Sequence, residues 1–176
     1  MALKALSSLA AEVKEPGGKL LIFQCYGGTH SSVTAASIYL NLLPRNRLPT
    51  RRELIRLPYF DRIKNDEVGP LRYMGRDRRG CRVFVMGSRE WSEEIKKLFK
   101  DLLPLLAVPP PAALLLNCFP GLNLLARIGG FISCRLGVPA LGRPLVCQGI
   151  RLHYHRLLRQ VELLESRPDL FALDRP

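Results

Sequence analysis

Residues 20–32 read Leu20-Leu-Ile-Phe-Gln-Cys25-Tyr-Gly-Gly-Thr-His30-Ser-Ser32. The apolar run that ends at Gln24 predicts a buried strand, because it contains Ile and Phe and stops at glycines. Ser31 or Ser32 then caps a helix over residues 33–43. A strand, a glycine turn and a helix N-terminus direct backbone N–H groups and the helix dipole at one point. We therefore expect an anion site at this turn.

The rest of the chain alternates short apolar runs with helix-like segments. Further strands are predicted at 81–87, 112–117 and 143–149. Further helices are predicted at 51–56, from Ser88 onward, at 122–136 and at 151–165. Residues 44–80, rich in Pro and Arg, are the least regular part, and Gly142-Arg-Pro144 is read as a turn. Alternating strands and helices predict an α/β fold, a three-layer sandwich with a mainly parallel sheet of about four strands flanked by helices, Rossmann-like or P-loop-like.

The length of 176 residues favours one domain. We expect an N-terminal helical or flexible segment at 1–18, a single α/β domain at 19–166 and a C-terminal tail at 167–176. No run of eighteen apolar residues occurs, so no membrane span is expected, and the N-terminus lacks the pattern of a secretory signal. The five cysteines form no C-x-x-C pair, which indicates reduced thiols and a cytoplasmic protein.

The net charge of +12 is concentrated in one region of the chain. Residues 45–82 hold twelve Lys or Arg against five Asp or Glu. Such an excess attracts nucleic acid, phosphorylated ligands or acidic partners. A solvated, arginine-rich face explains it equally well, and no nucleic-acid-binding motif accompanies it.

The ends of the predicted strands are where a ligand is expected, because open α/β sheets bind ligands beyond the carboxyl ends of their strands. These ends are residues 25–32, 87–89, 118–123 and 148–149. Residues 24–28 and 117–121 resemble each other. Duplication of a βα unit and convergence of two similar turns both account for that likeness.

The turn itself has the composition of a phosphate-binding loop. Gly27 and Gly28 let main-chain amides approach an oxyanion, while Thr29, Ser31 and Ser32 add hydroxyl donors. No lysine follows the glycines, so the P-loop pattern G-x-x-x-x-G-K-[ST] is absent and ordinary Mg-ATP hydrolysis is not predicted.

Cys25 gives the turn a candidate nucleophile, since a thiol before a ring of amides and a helix N-terminus is activated. The loop resembles that of low-molecular-weight phosphotyrosine phosphatases and certain phosphotransferase-system subunits. Cys25, Gly27 and Ser32 fall where the C-x-G-x-x-x-R-S pattern has its Cys, Gly and Ser. Ser31 stands where that pattern has its phosphate-clamping arginine. Three arginines elsewhere are candidates to replace the clamp: Arg89, Arg127 and Arg143. The alternative is an inert, buried thiol.

His30 is the second candidate catalytic residue, as an anion ligand or as an acid or base near neutral pH. A single structural hydrogen bond at the start of the helix explains it equally well. We assign no metal. A soft site formed by Cys25, His30 and Cys118 is a weaker reading, and His153 and His155 point to different faces of a helix.

Two further motifs stand out. In Leu57-Pro-Tyr-Phe-Asp61, the aromatic residues are expected to pack on the sheet, whereas Asp61 is free to face a ligand or metal. In Arg127-Ile-Gly-Gly-Phe131, two glycines inside a helix are expected only where another backbone or a partner comes close. Arg127 either reaches an anion or is simply solvated.

The motifs at 25–33, 57–61, 127–131 and 142–146 together resemble a bacterial family of uncharacterised proteins, domain of unknown function 3189. The resemblance covers about residues 19–161. It implies a small bacterial, cytosolic protein and brings no established activity or catalytic residue.

We therefore expect a cytoplasmic α/β protein that binds a phosphorylated or otherwise anionic small molecule at residues 25–32. Phosphoryl transfer or hydrolysis through Cys25, as in a phosphatase or phosphotransferase, is the enzymatic version. The alternative is a non-enzymatic interaction module that docks an acidic partner or nucleic acid through residues 45–82. The sequence leaves both the cofactor and the oligomeric state open.

Overall fold

The computed structural model describes residues 19–63, 67–105, 113–118 and 124–167. The predicted segment 1–18 and all but the first residue of the predicted tail lie outside these ranges. The strands are β1 (Leu20–Cys25), β2 (Arg72–Arg76), β3 (Arg82–Gly87) and β4 (Ala113–Asn117). The helices are α1 (Ser31–Tyr39), α2 (Arg51–Arg56), α3 (Ser92–Leu105), α4 (Leu124–Gly130), a π-helical turn (Phe131–Arg135) and α5 (Pro139–Glu165). No helix within the described ranges combines the length and apolar character that crossing a bilayer requires.

The four strands form one mixed sheet in the order β2-β3-β1-β4. β1 pairs in parallel with β3 on one side and with β4 on the other. All six residues of β1 are buried, as expected for a parallel strand covered on both faces. The predictions of strands at β1, β3 and β4 are therefore confirmed.

Helices pack on both faces of the sheet. Alternate residues of β1 and β3 point to opposite sides, because side chains in a strand alternate. Leu21, Phe23 and Val85 lie on the face covered by α1 and α5. Ile22 and Met86 lie on the other face, in a cluster with Ile95 and Phe99 of α3. The sheet thus forms the middle of three layers.

β2 is a strand in a region predicted to be irregular. It runs antiparallel to β3 at the edge of the sheet, with a bulge between Tyr73 and Gly75. Most of its residues are partly or fully exposed. An edge strand of this kind carries no apolar run, and so the hydrophobic pattern that revealed the other strands is missing here.

The predicted strand at 143–149 and the predicted turn at 142–144 are wrong, because both lie within α5. The buried residues of this helix recur every three or four positions: Val146, Cys147, Ile150, Tyr154, Leu157, Leu158, Val161 and Leu164. That spacing is helical. Read in isolation, residues 145–147 form a short apolar run that looks like a strand. Residues 148–149 are consequently not a strand end, and the predicted helix at 151–165 is the second half of α5.

Helix α1 ends earlier than predicted. Asn41 adopts a left-handed conformation with φ 58°. The N–H of Asn41 donates to the Ile38 carbonyl, and the N–H of Leu42 donates to the Ser37 carbonyl. These bonds form a Schellman motif, which stops the helix before Pro44 is reached. Helix α2 is confirmed and begins with a capping box between Thr50 and Glu53.

Helices α4 and α5 contact each other backbone to backbone. A Cβ atom on Gly129 would lie 2.6 Å from the backbone nitrogen of Val146, and one on Gly149 would lie 2.5 Å from that of Ala126. On Gly142 it would lie 2.5 Å from the backbone nitrogen of Ser133. The expectation that glycine in 127–131 marks a close backbone approach is confirmed. This contact fixes the wall of the site described next.

Candidate functional site

A cavity of about 510 Å³ opens at the carboxyl end of β1. The chain passes from β1 to β3 on one side and then to β4 on the other, so the strand order reverses at β1. Open α/β sheets bind ligands at this kind of crevice. The β1–α1 turn forms one wall, and α4 with the π-helical turn forms the other. Six of the predicted site residues line the cavity: Cys25, Gly27, Thr29, His30, Ser31 and Arg127.

Three predicted site residues do not line it. Gly28 has φ 71°, and a Cβ atom there would lie 2.4 Å from the backbone nitrogen of Gly87, so Gly28 holds the turn against β3. Ser32 is fully buried behind Cys25. Arg89 follows β3 and donates its backbone N–H to the Tyr26 carbonyl at 2.9 Å.

The thiol of Cys25 is buried beneath the turn and still borders the cavity. Its sulfur accepts the Gly28 N–H at 3.2 Å and lies 3.1 Å from the Ser32 hydroxyl. The Gly28 N–H is thus a fixed donor to the sulfur, whereas either the thiol or the Ser32 hydroxyl can be the donor in the second contact.

Ser31 is the first residue of α1 and is 1% exposed. The N-cap is His30, so the prediction that Ser31 or Ser32 caps this helix is wrong. Its hydroxyl has no hydrogen-bond partner within the described ranges. Buried hydroxyls almost always have one. The N-cap residue His30 makes no side-chain capping bond either. The helix therefore presents an unpartnered hydroxyl and uncapped N–H groups of its first turn beside the cavity.

Thr29 shapes the site from behind. Its hydroxyl donates to the Tyr59 carbonyl at 2.5 Å and accepts the Arg62 N–H at 3.3 Å. The Thr29 carbonyl accepts the N–H of Asp61 at 3.3 Å. The Thr29 hydroxyl thus donates its proton to the loop formed by residues 59–62 and holds that loop in place.

That loop delivers a buried carboxylate to His30. Asp61 Oδ1 lies 3.0 Å from His30 Nε2. Asp61 Oδ2 accepts the Ser133 hydroxyl at 2.6 Å and the Arg143 Nε–H at 2.8 Å. Burial by itself raises the pKa of Asp61, but the hydrogen bonds from His30, Ser133 and Arg143 and the charge of His30 outweigh it, so the pKa is lowered.

The conformation of the loop is strained. Tyr59 has φ 61° and Asp61 has φ 54°, in the left-handed region that non-glycine residues rarely adopt. Phe60 between them is buried and meets the His30 ring edge-on, with ring centroids 5.6 Å apart. The expectation that Tyr59 and Phe60 pack into the core is confirmed, because both join its larger cluster.

Two arginines reach the cavity from the α4 side. Arg127 and Arg135 both line it and are exposed. The Arg135 guanidinium lies 5.6 Å from the centre of the Phe131 ring, within cation–π range. Arg143, one of the three candidate clamps, binds the Asp61 carboxylate instead.

The basic region 45–82 is partly used inside the fold. Arg45 pairs with Glu165 through contacts of 2.6 and 2.7 Å, and Arg47 pairs with Glu53 through contacts of 2.6 and 3.0 Å. Arg82 is buried. These three arginines are used within the fold, whereas docking of an acidic partner or nucleic acid through this region stays a prediction, since seven other arginines of the region are exposed: Arg51, Arg52, Arg56, Arg62, Arg76, Arg78 and Arg79.

Sequence reasoning missed Ser133, Cys134 and Arg135, and did not connect Asp61 with His30. Cys134 Sγ lies 3.4 Å from Asp61 Oδ1. The ligand atoms of His30, Asp61 and Cys134 lie within 4.8 Å of one another, so among the described residues these three, rather than Cys25, His30 and Cys118, form a group that could hold a metal. Cys118 is fully buried, and burial raises its pKa well above the usual range.

The fold and cavity define an α/β protein with a mixed four-stranded sheet and a candidate ligand site at the end of an inner strand. The chain belongs to the family described as Protein of unknown function (DUF3189), whose family model matches residues 20–165. No curated protein and no solved structure matches the chain.

Proposed function

We propose that the cavity binds a phosphorylated or otherwise anionic small molecule. The observation that carries this proposal is the Ser31 hydroxyl, which is buried, borders the cavity and has no partner among the described residues. An anionic oxygen placed there would accept hydrogen bonds from that hydroxyl and from the first N–H groups of α1. The positive end of the helix dipole adds to the attraction.

The opposite wall supplies the matching positive charge. Arg127 and Arg135 border the cavity from α4 and the π-helical turn. A guanidinium binds phosphate oxygens through two parallel hydrogen bonds and keeps its charge at any relevant pH. Arg127 and Arg135 thus take the clamp role that the turn itself lacks. A volume of about 510 Å³ suits a small organic ligand.

The enzymatic version of the proposal uses Cys25 as the nucleophile. Its sulfur would attack phosphorus while the bond to the leaving oxygen breaks, and His30 would donate a proton to that oxygen. Water would then cleave the S–P bond, with one of its protons returning to His30, which releases phosphate and restores the thiolate. The position of Cys25 supports this role, since its sulfur borders the cavity and accepts the Gly28 N–H.

A pair of serines in α1 tests the anion site. Ser31 and Ser37 are both fully buried hydroxyls without a hydrogen-bond partner in the described part of the chain. Only Ser31 borders the cavity. Affinity for inorganic phosphate, measured by calorimetry, should fall about tenfold or more in Ser31→Ala, because a hydrogen bond to a charged group is lost. Ser37→Ala should bind like the original protein.

Equal losses in the two variants, or no phosphate binding by the original protein at millimolar concentration, would contradict the anion site. Turnover of a phosphate monoester tests the enzymatic version separately. Cys25→Ser should abolish turnover and retain phosphate binding, whereas unchanged turnover removes Cys25 from the mechanism.

A further inference from the structure

Three side chains from three separate segments converge beside the cavity. A ring nitrogen of His30 at the start of α1, a carboxylate oxygen of Asp61 in the strained loop and Cys134 Sγ in the π-helical turn lie within 4.8 Å of one another. We infer that these three residues bind a divalent transition-metal ion, with Zn²⁺ as the best match. The inference stands on this cluster and does not depend on the proposed anion site.

The separations of the ligand atoms suit a tetrahedral zinc ion. Asp61 Oδ1 lies 3.0 Å from His30 Nε2 and 3.4 Å from Cys134 Sγ. With Zn–N and Zn–O bonds of about 2.0–2.1 Å and a Zn–S bond of about 2.3 Å, tetrahedral ligand atoms are roughly 3.3–3.6 Å apart. These two separations need to change by only a few tenths of an ångström, whereas the His30 ring nitrogen and Cys134 Sγ, which lie up to 4.8 Å apart, would have to approach by up to about 1.2 Å to bind the same ion. One nitrogen, one oxygen and one sulfur form a donor set that zinc accepts.

The Asp61 carboxylate is oriented as carboxylate ligands usually are. Its second oxygen, Oδ2, is held by Ser133 at 2.6 Å and by Arg143 at 2.8 Å. This leaves Oδ1 facing His30 and Cys134. Outer hydrogen bonds of this kind fix a ligand before the metal arrives. The left-handed φ of Asp61 and the bonds from Thr29 hold the loop in the same way.

The charges and protons balance on binding. The ion displaces the Cys134 thiol proton, which passes to solvent, and the proton between His30 Nε2 and Asp61 Oδ1 leaves Nε2, so that His30 binds through Nε2 as a neutral imidazole with its one ring proton on Nδ1. One thiolate and one carboxylate then neutralise the two positive charges of the ion. Arg143 on Oδ2 keeps the surroundings slightly positive, which favours an additional anionic ligand.

The fourth position of this site would open to the cavity. His30 and Cys134 both border it, whereas Asp61 is held behind them. Three protein ligands with one open position are typical of catalytic rather than structural zinc. The ion would act there as a Lewis acid toward a water molecule or an anionic oxygen.

Cobalt substitution tests the site directly. The protein is stripped of metal and titrated with Co²⁺, which gives a thiolate-to-cobalt charge-transfer band only when a cysteine is bound. The original protein should take up one equivalent with this band. Cys134→Ser should lose the band and weaken Co²⁺ affinity by more than about 100-fold. Such a loss exceeds the roughly 10–100-fold loss of affinity that follows when a residue hydrogen-bonded to a metal ligand is replaced. Cys81→Ser is the matched control, since Cys81 is a buried thiol just before the first residue of β3, at the end of the strand away from the cavity.

Several results would overturn the inference. These are no uptake of Co²⁺ by the original protein, a charge-transfer band that persists in Cys134→Ser, and a band lost in Cys25→Ser but kept in Cys134→Ser. If Cys134→Ser does not fold, X-ray absorption of the Zn²⁺-loaded original protein decides, because sulfur must be present at about 2.3 Å. Ser31→Ala should keep the cobalt band, so loss of phosphate binding and loss of metal are distinguishable.

Discussion

Asp61 and His30, 31 residues apart in sequence, meet through a contact of 3.0 Å between Oδ1 and Nε2. The contact is buried, with the His30 side chain 10% exposed and that of Asp61 fully enclosed. It fixes the orientation of the imidazole at the start of α1. The same carboxylate holds Arg143 of α5, so one side chain joins the β1–α1 turn to the last helix.

The first prediction concerns this carboxylate. Asp61→Asn should lower the free energy of unfolding by about 3 kcal/mol, because it leaves the partly enclosed Arg143 guanidinium without its counter-charge and weakens the hydrogen bonds that the carboxylate accepts. The value lies at the low end of the usual range because the Arg143 side chain is 36% exposed. Urea denaturation measures the change. Glu165→Gln, which breaks the half-exposed pair with Arg45, should cost less than about 1 kcal/mol. Equal losses in the two variants would contradict the prediction.

The second prediction concerns how the difference in unfolding free energy between the original protein and Asp61→Asn depends on pH. The pKa of Asp61 is lowered from its ordinary value of 3.8. Its contribution to stability is therefore present above that value and is lost as the pH falls through the lowered pKa, because the unfolded chain takes up the proton first. The gap in stability between the original protein and Asp61→Asn should be full near neutral pH and should narrow in acid. Urea midpoints measured as a function of pH give the gap, and widening in acid would exclude the mechanism.

The third prediction separates steric clash from backbone strain at two glycines. Gly28 and Gly80 have φ of 71° and 82°, so alanine costs about 1–2 kcal/mol at either position for the left-handed conformation. At Gly28 the new Cβ would also lie 2.4 Å from the backbone of Gly87, while at Gly80 nothing lies within 4 Å. Gly80→Ala should fold with a modest loss of stability. Gly28→Ala should lose far more or fail to fold, as circular dichroism and thermal melting will show.

The fourth prediction concerns Gly130, whose added Cβ would lie 3.1 Å from Cε1 and 3.3 Å from Nδ1 of His30. Gly130→Ala should therefore push the imidazole aside by a few tenths of an ångström and change the NMR signals of His30. Gly137→Ala is the control, because nothing lies within 4 Å of its added Cβ. Equal changes at His30 in both variants would show that the ring responds to general destabilisation.

Much of the sheet could be predicted because β1, β3 and β4 are buried apolar runs with clear ends. β2 could not, since an exposed edge strand has no such run. The segment 143–149 was predicted wrongly because its apolar residues belong to a helical stripe that continues to Leu164. Only a window longer than seven residues shows that period.

The residues of the candidate site also fall into a group that the sequence could predict and a group that it could not. Cys25, His30 and Ser31 are consecutive or nearly so, and a local strand–turn–helix pattern is sufficient to bring them together. Asp61 and Cys134 come from distant segments and are joined to His30 only by tertiary packing. The left-handed φ of Asp61, which aims its carboxylate inward, has no signature in a non-glycine sequence.

The geometry of this site depends on the number of residues in the π-helical turn. Residues 131–135 wind more widely than an α-helix, and Ser133 and Cys134 reach Asp61 from this widened turn. Deleting one residue there would let the segment close as an ordinary α-helical turn, because a π-helical turn holds one residue more, and Ser133 and Cys134 would be displaced from the Asp61 carboxylate. A homologue shorter by one position in this turn would point other side chains at the carboxylate even if every remaining residue were identical.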